Sequence, residues 1–301
     1  MERLNPGEYG FLLLTSHLGD PARRPLTTAQ FRTLIHRSEQ MTRGKDTARD
    51  VDVYDLTSIG YGAKEAQHII SLLQDEYLLQ YYLNKAWKAR CTPITRATEN
   101  YPAAVRQRLG VDAPGCLWAK GDAALLDTPM VSLVGSRDLR EENRAFAAEV
   151  GKQAALQGYT LVSGNARGAD KTAQNACLEH GGKVISVVAD SMTEHQEKEN
   201  VLYLSEDSFD APFTMQRALS RNRVIHSLGY VTFVAQASLQ QGGTWDGTSK
   251  NLRFGWSPVY CFADGSDSAL VLEQMGAQPI SKELLQRFDQ LPKPNKNLFD
   301  Q

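Results

Sequence analysis

The sequence predicts an α/β fold in which a mostly parallel sheet carries helices on both faces and follows a small helical domain. Two observations predict this fold. Short, nearly all-apolar runs alternate with helical periods from about residue 130 onward, as is typical of strands buried on both faces. The preceding helical region instead repeats apolar residues at helical spacing with few strand signals. The predicted boundaries are a helical domain over 1–95, an α/β domain over 96–290 and a flexible tail over 291–301.

In the helical domain, Thr27 offers a hydroxyl that can cap a helix. Phe31, Leu34 and Ile35 then recur at spacings of three and four residues, which predicts a helix with one apolar face. Similar spacing continues to about residue 90. Between two of these helices, the Ile-Gly-Tyr-Gly stretch at 59–62 predicts a turn. Its backbone N–H groups either hold a phosphate or simply join two helices.

The α/β domain follows a change of composition marked by Pro93, Pro102 and Pro114. Five apolar runs predict strands at 130–134, 159–162, 184–188, 230–235 and 258–262. Helical periods between and after these runs predict helices at 141–156, 169–180, 214–228 and 266–275. Apolar strands separated by helices indicate a parallel sheet covered on both faces.

Overall composition limits the possible functions. The 301 residues are 42% hydrophobic and 23% charged, a balance typical of a folded globular protein. The formal net charge is −2, so the protein has no overall positive field that would attract nucleic acid. Any nucleic-acid binding therefore needs a local basic patch.

The cysteines and the N-terminal segment indicate the cellular environment. Cys91, Cys116, Cys177 and Cys261 form neither a close pair nor a cluster with metal-ligand spacing, which favours a reducing compartment. Residues 1–18 do not resemble a secretory signal, and no apolar stretch approaches membrane-spanning length. We therefore expect a cytoplasmic protein with no membrane association, no metal and no bound cofactor.

Two loops that follow predicted strands carry residues suited to phosphate. Ligands of parallel α/β sheets bind beyond the carboxyl ends of the strands, where helix N-termini point outward. In such loops glycine permits close backbone approach, serine offers a hydroxyl and arginine offers a bidentate fork. The residues concerned are Gly135, Ser136 and Arg137 in the first loop, and Ser163, Gly164, Arg167 and Gly168 in the second. The glycines of the second loop equally fit a tight turn with a purely geometric role, and Asp170 fits a helix cap.

Three arginines, Arg217, Arg221 and Arg223, fall on the helix before the strand at 230–235. Arg221 precedes Ile225 by four residues, so it shares the apolar stripe of that helix. A guanidinium in that position needs a partner, which is either an internal carboxylate or an incoming phosphate.

A further glycine-rich segment follows the strand at 230–235 and contains Gly242, Gly243 and Thr244, with Lys250 after it. Its glycines, hydroxyl and ammonium suit an oxyanion or a phosphate. Trp245 provides either a stacking face for a base or a buried anchor for the turn. Because these segments are all predicted at the same edge of one sheet, together they indicate a single polyanion site.

The ordered motifs resemble those of the DNA-processing protein A family. They are Tyr101-Pro102, the Val-Gly-Ser-Arg stretch at 134–137, Ser163-Gly164, the Arg-Gly-Ala-Asp stretch at 167–170 and the Arg-Asn-Arg-Val-Ile stretch at 221–225. The resemblance extends over about 101–276, and the helical region is similar to the small leading domain of that family.

The resemblance implies a Rossmann-like domain of the wider nucleotide-binding superfamily, a homodimer, single-stranded DNA as ligand and delivery of the strand to a RecA-type recombinase during DNA recombination or natural transformation. It implies no catalysis. Transferred to this sequence, the residues that line the strand-binding pocket would be Gly135, Ser136, Arg137, Ser163, Gly164, Arg167, Arg221 and Arg223. The resemblance does not extend to Lys250, whose predicted role comes from its own loop.

The sequence departs from the family pattern at three places. Gln174 stands where the family has a histidine, the stretch 193–196 replaces a Tyr-Pro segment, and 242–245 replaces a Ser-Gly-Ser segment. These departures indicate a divergent branch, for which a DNA-linked defence role is an alternative to recombination.

Two other functions fit a Rossmann-like sheet. A nucleotide-binding sensor or a nucleoside-monophosphate hydrolase is the main alternative, because the Gly-Gly-Thr stretch at 242–244 resembles the phosphate loop of those proteins. In the hydrolases a glutamate follows that loop, and Asp246 would have to replace it. A nicotinamide dehydrogenase is disfavoured because no GxGxxG motif follows the first strand.

Overall fold

The computed structural model describes residues 4–41, 50–206 and 208–291. Except for Leu291, the tail predicted over 291–301 lies outside the described residues. The chain forms two compact units. The first extends to Tyr101 and includes Pro114–Leu117, whereas the second consists of Pro102–Ala113 and the chain from Trp118 onward.

The first unit is mainly helical. Its elements are α1 (Pro6–Thr15), α2 (Thr28–Ser38), α3 (Val53–Ser58), α4 (Ala63–Leu73), α5 (Glu76–Lys88) and a short strand β1 (Thr92–Thr95). As predicted, Thr27 caps α2, because its hydroxyl accepts a hydrogen bond from the Gln30 N–H. Leu14, Leu34, Leu56 and Ile69 belong to an apolar core that α1, α2, α3 and α4 share.

The glycine turn between α3 and α4 joins two helices and uses its polar groups internally. The Arg37 guanidinium donates to the carbonyl of Gly60 at 2.9 Å, and the Gly62 N–H donates to the Glu65 carboxylate. Of the two roles predicted for this turn, the connecting one therefore accounts for its contacts.

The second unit alternates strands and helices. Its strands are β3 (Met130–Val134), β4 (Thr160–Ser163), β5 (Lys183–Val187), β6 (Val201–Glu206), β7 (Thr232–Val234), β8 (Val259–Phe262) and β9 (Gln278–Ile280). Its helices are α6 (Ala103–Leu109), α7 (Glu141–Leu156), α8 (Ala169–Glu179), α9 (Met215–Leu228), α10 (Gly242–Phe254) and α11 (Asp267–Gln274). One further strand, β2 (Cys116–Lys120), begins in the first unit and ends in the second.

The strands β6-β5-β4-β3-β7-β8-β9 lie in this order, and each neighbouring pair is parallel. From β3 the chain first builds outward through β4, β5 and β6, and it then returns to place β7 on the other side of β3. The order of the strands therefore reverses at β3, which makes its carboxyl end a topological switch point. The predicted α/β fold, a Rossmann-like parallel sheet with helices on both faces, is confirmed.

The second unit contains elements that were not predicted, among them α6, β6 and β9, and a helix replaces one predicted loop. β6 is fully buried, and no strand was predicted at its position. The segment 242–254 forms helix α10, although its glycines predicted a loop. Gly247 lets α10 approach α9 closely, because a Cβ at this position would lie 3.1 Å from the Cβ of Asn222 and from Nε2 of His226. Packing against α9 therefore overrides the low helix propensity of glycine.

Candidate nucleic-acid interface

A cavity of about 400 Å³ opens at the carboxyl ends of β3, β4 and β5. Residues 164–166 form one wall of the cavity, and Ala189, which follows β5, forms part of another. Its charged and aromatic lining residues are Arg137, Arg167, Asp190, Phe213 and Arg221. Three guanidinium groups thus converge on one concave surface beside the switch point, which is where an α/β sheet of this kind binds ligands.

Arg221 is the buried cation of the cavity, with 9% of its surface exposed. It extends from α9, and its Nη1 donates to the carbonyl of Val187 at the end of β5. Its Nε finds no hydrogen-bond partner among the described residues. Burial lowers the pKa of Arg221, and the nearby carboxylates of Asp170 and Asp190 oppose that effect. The guanidinium is therefore held in place by Val187, while not all of its N–H donors are satisfied by the described residues.

Gly164 makes room for that guanidinium. A Cβ at this position would overlap the Cζ and both terminal nitrogens of Arg221. The glycine after β4 is thus required by side-chain packing as well as by its turn. Any larger residue would push the guanidinium out of its place.

Asp170 supplies the countercharge beneath the cavity and also organises the loop above it. Its carboxylate accepts a hydrogen bond from the Ala166 N–H at 3.1 Å, so it tightens the loop before α8. Burial raises the pKa of Asp170, and the charge of Arg221 acts in the opposite direction. The N-cap position of α8 belongs to Gly168, so the predicted capping role of Asp170 is replaced by this loop contact.

Gly135 and Gly168 allow the loops after β3 and β4 to touch. Gly168 has φ +85°, and a Cβ there would overlap the carbonyl oxygens of Ser136 and Arg137. A Cβ on Gly135 would lie 2.5 Å from the Cβ of Ala169. These two glycines therefore allow the close packing of the two loops that form the cavity.

The two predicted serines have similar supporting roles. The Ser136 hydroxyl accepts a hydrogen bond from the Asp138 N–H at 3.2 Å, and the backbone N–H of Ser136 donates to the carbonyl of Gln236 at 2.9 Å. Ser163 is fully buried, and its hydroxyl accepts from the amide of Gln174 at 2.6 Å. Neither serine lines the cavity.

Arg137 and Arg167 are more exposed than Arg221. Within the described part of the chain, the Arg137 guanidinium forms no ion pair or side-chain hydrogen bond. Arg167 pairs with Asp138 at 2.9 Å, but both side chains are more than three-quarters exposed. Such a pair contributes little to stability, so Arg167 can exchange it for a phosphate at small cost.

Asp190 places one carboxylate on the cavity wall. Its Oδ1 lies 2.9 Å from Nε2 of His195, and this hydrogen bond holds the pKa of Asp190 below its usual value. The imidazole in turn stacks on Tyr203 at a centroid distance of 4.9 Å. Sequence reasoning missed Asp190 and Phe213. Asp190 follows β5, so the carboxyl-end rule applied to the first two loops would also have found it.

Several predicted residues lie outside the cavity lining. Arg223 forms an ion pair with Glu206 at 2.6 Å. Gly242, Gly243 and Thr244 form the first turn of α10, and Lys250 pairs with Asp246 at 2.8 Å on the same helix. The structure therefore does not gather all the predicted loops around one cavity. Contact of these residues with nucleic acid outside it stays a prediction.

The described residues also provide two general observations. None of their helices is long and apolar enough to cross a membrane. They contain no group of three or more His, Cys, Asp or Glu side chains arranged to hold a metal ion.

The family model described as DNA recombination-mediator protein A matches residues 92–253. The DNA processing protein DprA of Streptococcus pneumoniae strain R6 is 33% identical over 141 residues, which cover 44% of this chain and 50% of that protein. The match thus spans about half the length of that relative.

Two solved structures share the fold. The X-ray structure of DNA processing protein A from S. pneumoniae aligns with a TM-score of 0.68 at 22% identity, covering 95% of this chain and 97% of the other. A structure describing the single-stranded DNA binding mode of DNA processing protein A from Helicobacter pylori aligns with a TM-score of 0.55 at 24% identity, covering 65% and 93%.

Proposed function

This chain belongs to the DNA recombination-mediator protein A family, and on that premise we propose that it binds single-stranded DNA at the cavity beside β3, β4 and β5. The proposed role is in DNA recombination and uptake. The proposal agrees with the binding described for the H. pylori relative.

The observation that carries the proposal is the buried Arg221 guanidinium at the wall of an open cavity, whose Nε has no hydrogen-bond partner among the described residues. A buried guanidinium whose donors are not all satisfied is costly, so a phosphate that accepts from Arg221 at the cavity wall would be bound favourably. Arg137 and Arg167 add two cations at the same opening. The cavity therefore suits a polyanion although the whole chain carries a net charge of −2.

A single strand fits this site better than a duplex. A cavity of about 400 Å³ admits a phosphate with part of a nucleotide but not a double helix. Phe213, which is half-exposed at the opening, offers a ring on which an unpaired base can stack. In a duplex that base face is covered by its neighbours.

We also propose that the protein works as a cytoplasmic homodimer, that it delivers the bound strand to a RecA-type recombinase, and that it acts without catalysis. Membership of the family supports these points. The ion pair of Asp246 with Lys250 weakens the case for a nucleotide hydrolase, since Asp246 was the residue predicted to act in one.

The test is fluorescence anisotropy with a labelled single strand, the matching duplex and mononucleotides over a range of salt concentrations. We expect the single strand to bind most tightly and its affinity to fall as salt rises. Arg137→Ala should weaken binding about tenfold and lower the salt slope by about 0.7, the contribution of one phosphate contact to a single strand. Arg221→Gln should weaken it at least as much.

Arg253→Ala is the matched control, because it removes one arginine from the end of α10 outside the cavity. Circular dichroism establishes that each variant keeps its fold. If folded Arg137→Ala and Arg221→Gln proteins bind the strand with unchanged affinity and salt slope, the proposed site is wrong. Binding of mononucleotides without binding of DNA would instead favour the nucleotide-sensor alternative.

A further inference from the structure

Helix α5 in the first unit presents a row of polar and aromatic side chains directly opposite its buried face. The buried residues of the helix are Leu79, Tyr82, Leu83 and Ala86. At 3.6 residues per turn, four other residues project within about 60° of one another on the far side. These residues, which we call the α5 stripe, are Tyr77, Tyr81, Asn84 and Lys88.

The two rings of the α5 stripe are unusually accessible. Tyr77 is 84% exposed and Tyr81 is 62% exposed, so neither ring is needed to fill the core. They are four residues apart, which places them about 6 Å from each other along the helix axis. This spacing is close to the separation of successive bases in an extended single strand.

The charge of the stripe suits a polyanion. Lys88 lies about 16 Å along the axis from Tyr77, and it pairs with no carboxylate among the described residues. The acidic residue of the helix, Glu76, is turned about 100° away from Tyr77. The four positions of the stripe carry two rings, an amide and an ammonium group, a set that offers stacking faces together with a positive charge.

We propose that the α5 stripe is a second contact surface for single-stranded DNA, on which Tyr77 and Tyr81 stack with two successive bases and Lys88 pairs with a phosphate. This inference rests on the proposed function, because it adds a contact of the helical unit with the same class of ligand, single-stranded DNA. Stacking on aromatic rings tolerates any sequence, so the surface would add affinity without base preference.

The decisive variant is the double substitution Tyr77→Ala with Tyr81→Ala in the full chain, measured by anisotropy with a long oligothymidylate. We expect affinity to fall about tenfold, since each lost stack weakens binding several-fold. The salt slope should not change, because no phosphate contact is removed. Lys88→Gln should instead lower the slope by about 0.7. Tyr77→Phe with Tyr81→Phe should bind like the unaltered protein, because the rings remain.

The controls distinguish stacking from damage to the fold. Tyr54→Ala removes a ring that is 77% exposed on α3, outside the stripe, and should leave affinity unchanged. With an abasic oligonucleotide of the same length, the double alanine variant and the unaltered protein should bind equally. Circular dichroism checks that the variants are folded.

Two results would overturn the inference. The first is unchanged affinity of the folded double alanine variant for oligothymidylate. The second is a lower oligomeric mass of that variant in sedimentation with DNA binding intact, which would assign the stripe to contact between protein copies. If Arg137→Ala abolishes binding while the tyrosine variant does not affect it, only this inference fails. If the unaltered protein binds no DNA, the proposed function fails as well.

Discussion

Two regions at the carboxyl edge of the sheet contain similar residues, but their cationic side chains face different surroundings. Around the ends of β3, β4 and β5, guanidinium groups face an open cavity. Around α9 and α10, the cations face carboxylates of the protein itself: Arg223 pairs with Glu206, and Lys250 with Asp246. Glycine together with arginine or lysine therefore marks both regions equally in the sequence. The position of the nearest carboxylate decides which region can accept a phosphate.

The buried polar groups of the two regions show the same difference. Arg221 keeps its charge beside the cavity, with Asp170 and Asp190 close enough to oppose the loss of its proton. His226, which is fully buried between α9 and α10, has no such partner. Its Nδ1 accepts from the amide of Asn251 at 3.0 Å, and burial lowers its pKa to about 3. The buried Arg221 therefore stays charged, whereas the buried His226 stays neutral.

The largest expected effect concerns this neutral histidine. The pKa of His226 is about 3 in the folded protein and about 6.5 when unfolded. Between these values the unfolded chain binds the additional proton, so stability falls as the pH drops from 6.5 towards 3. From pH 6.5 to 4.5 this residue alone should lower the free energy of unfolding by roughly 2 kcal/mol. Urea unfolding at the two pH values measures the change.

His226→Gln is the comparison for that measurement, because its amide oxygen can still accept from Asn251 but does not titrate. The variant should lose less stability than the unaltered protein over the same pH interval, by the same rough amount. Equal losses in both proteins would mean that His226 is protonated while folded. The α9–α10 region would then tolerate a buried charge, as the region around Arg221 does.

The next largest effect compares two glycines that the sequence predicted to serve the same purpose. Gly164→Ala places a Cβ against the Arg221 guanidinium, so the guanidinium must shift and affinity for a single strand should fall about tenfold, or about 1.4 kcal/mol. Gly243→Ala places its Cβ 3.4 Å from Nδ2 of Asn222, which is ordinary contact. It should leave affinity unchanged. Anisotropy with the same oligonucleotide tests both variants.

A tenfold loss with Gly243→Ala and none with Gly164→Ala would reverse the assignment of the two regions. The phosphate site would then lie at the start of α10. Thermal unfolding of both variants must accompany the measurement, because Gly164→Ala also disturbs the contact of Arg221 with the carbonyl of Val187.

The sequence predicted the parallel sheet well because apolar runs such as Met130–Val134 are long and bounded by clear turns. It failed at α10, where glycine signals favoured a loop and only the contact of Gly247 with α9 explains the helix. Local periodicity contains no information about such a contact.

The site was predictable to a similar degree. Arg221 shares the apolar stripe of its helix with Ile225, which indicated that Arg221 is buried. The sequence left open whether a carboxylate or a ligand neutralises its charge. Arg223 lies two residues after Arg221 on the same helix and was predicted to line the same pocket. The offset of two residues directs its side chain to a different side of the helix, where it pairs with Glu206. The strand that supplies Glu206, β6, was itself not predicted, so this pairing could not be foreseen.

The smallest expected effect tests whether α10 contributes any affinity through its lysine. The Lys250 side chain is 53% exposed and pairs with Asp246 four residues earlier, a surface pair that contributes at most about 0.5 kcal/mol to stability. Lys250→Ala should therefore leave strand affinity within about twofold and the salt slope within error. Anisotropy at low and moderate salt, with Arg137→Ala measured in parallel, provides the comparison. A drop in slope of about 0.7 with Lys250→Ala would mean that Lys250 leaves Asp246 for a phosphate, and α10 would then be part of the strand path.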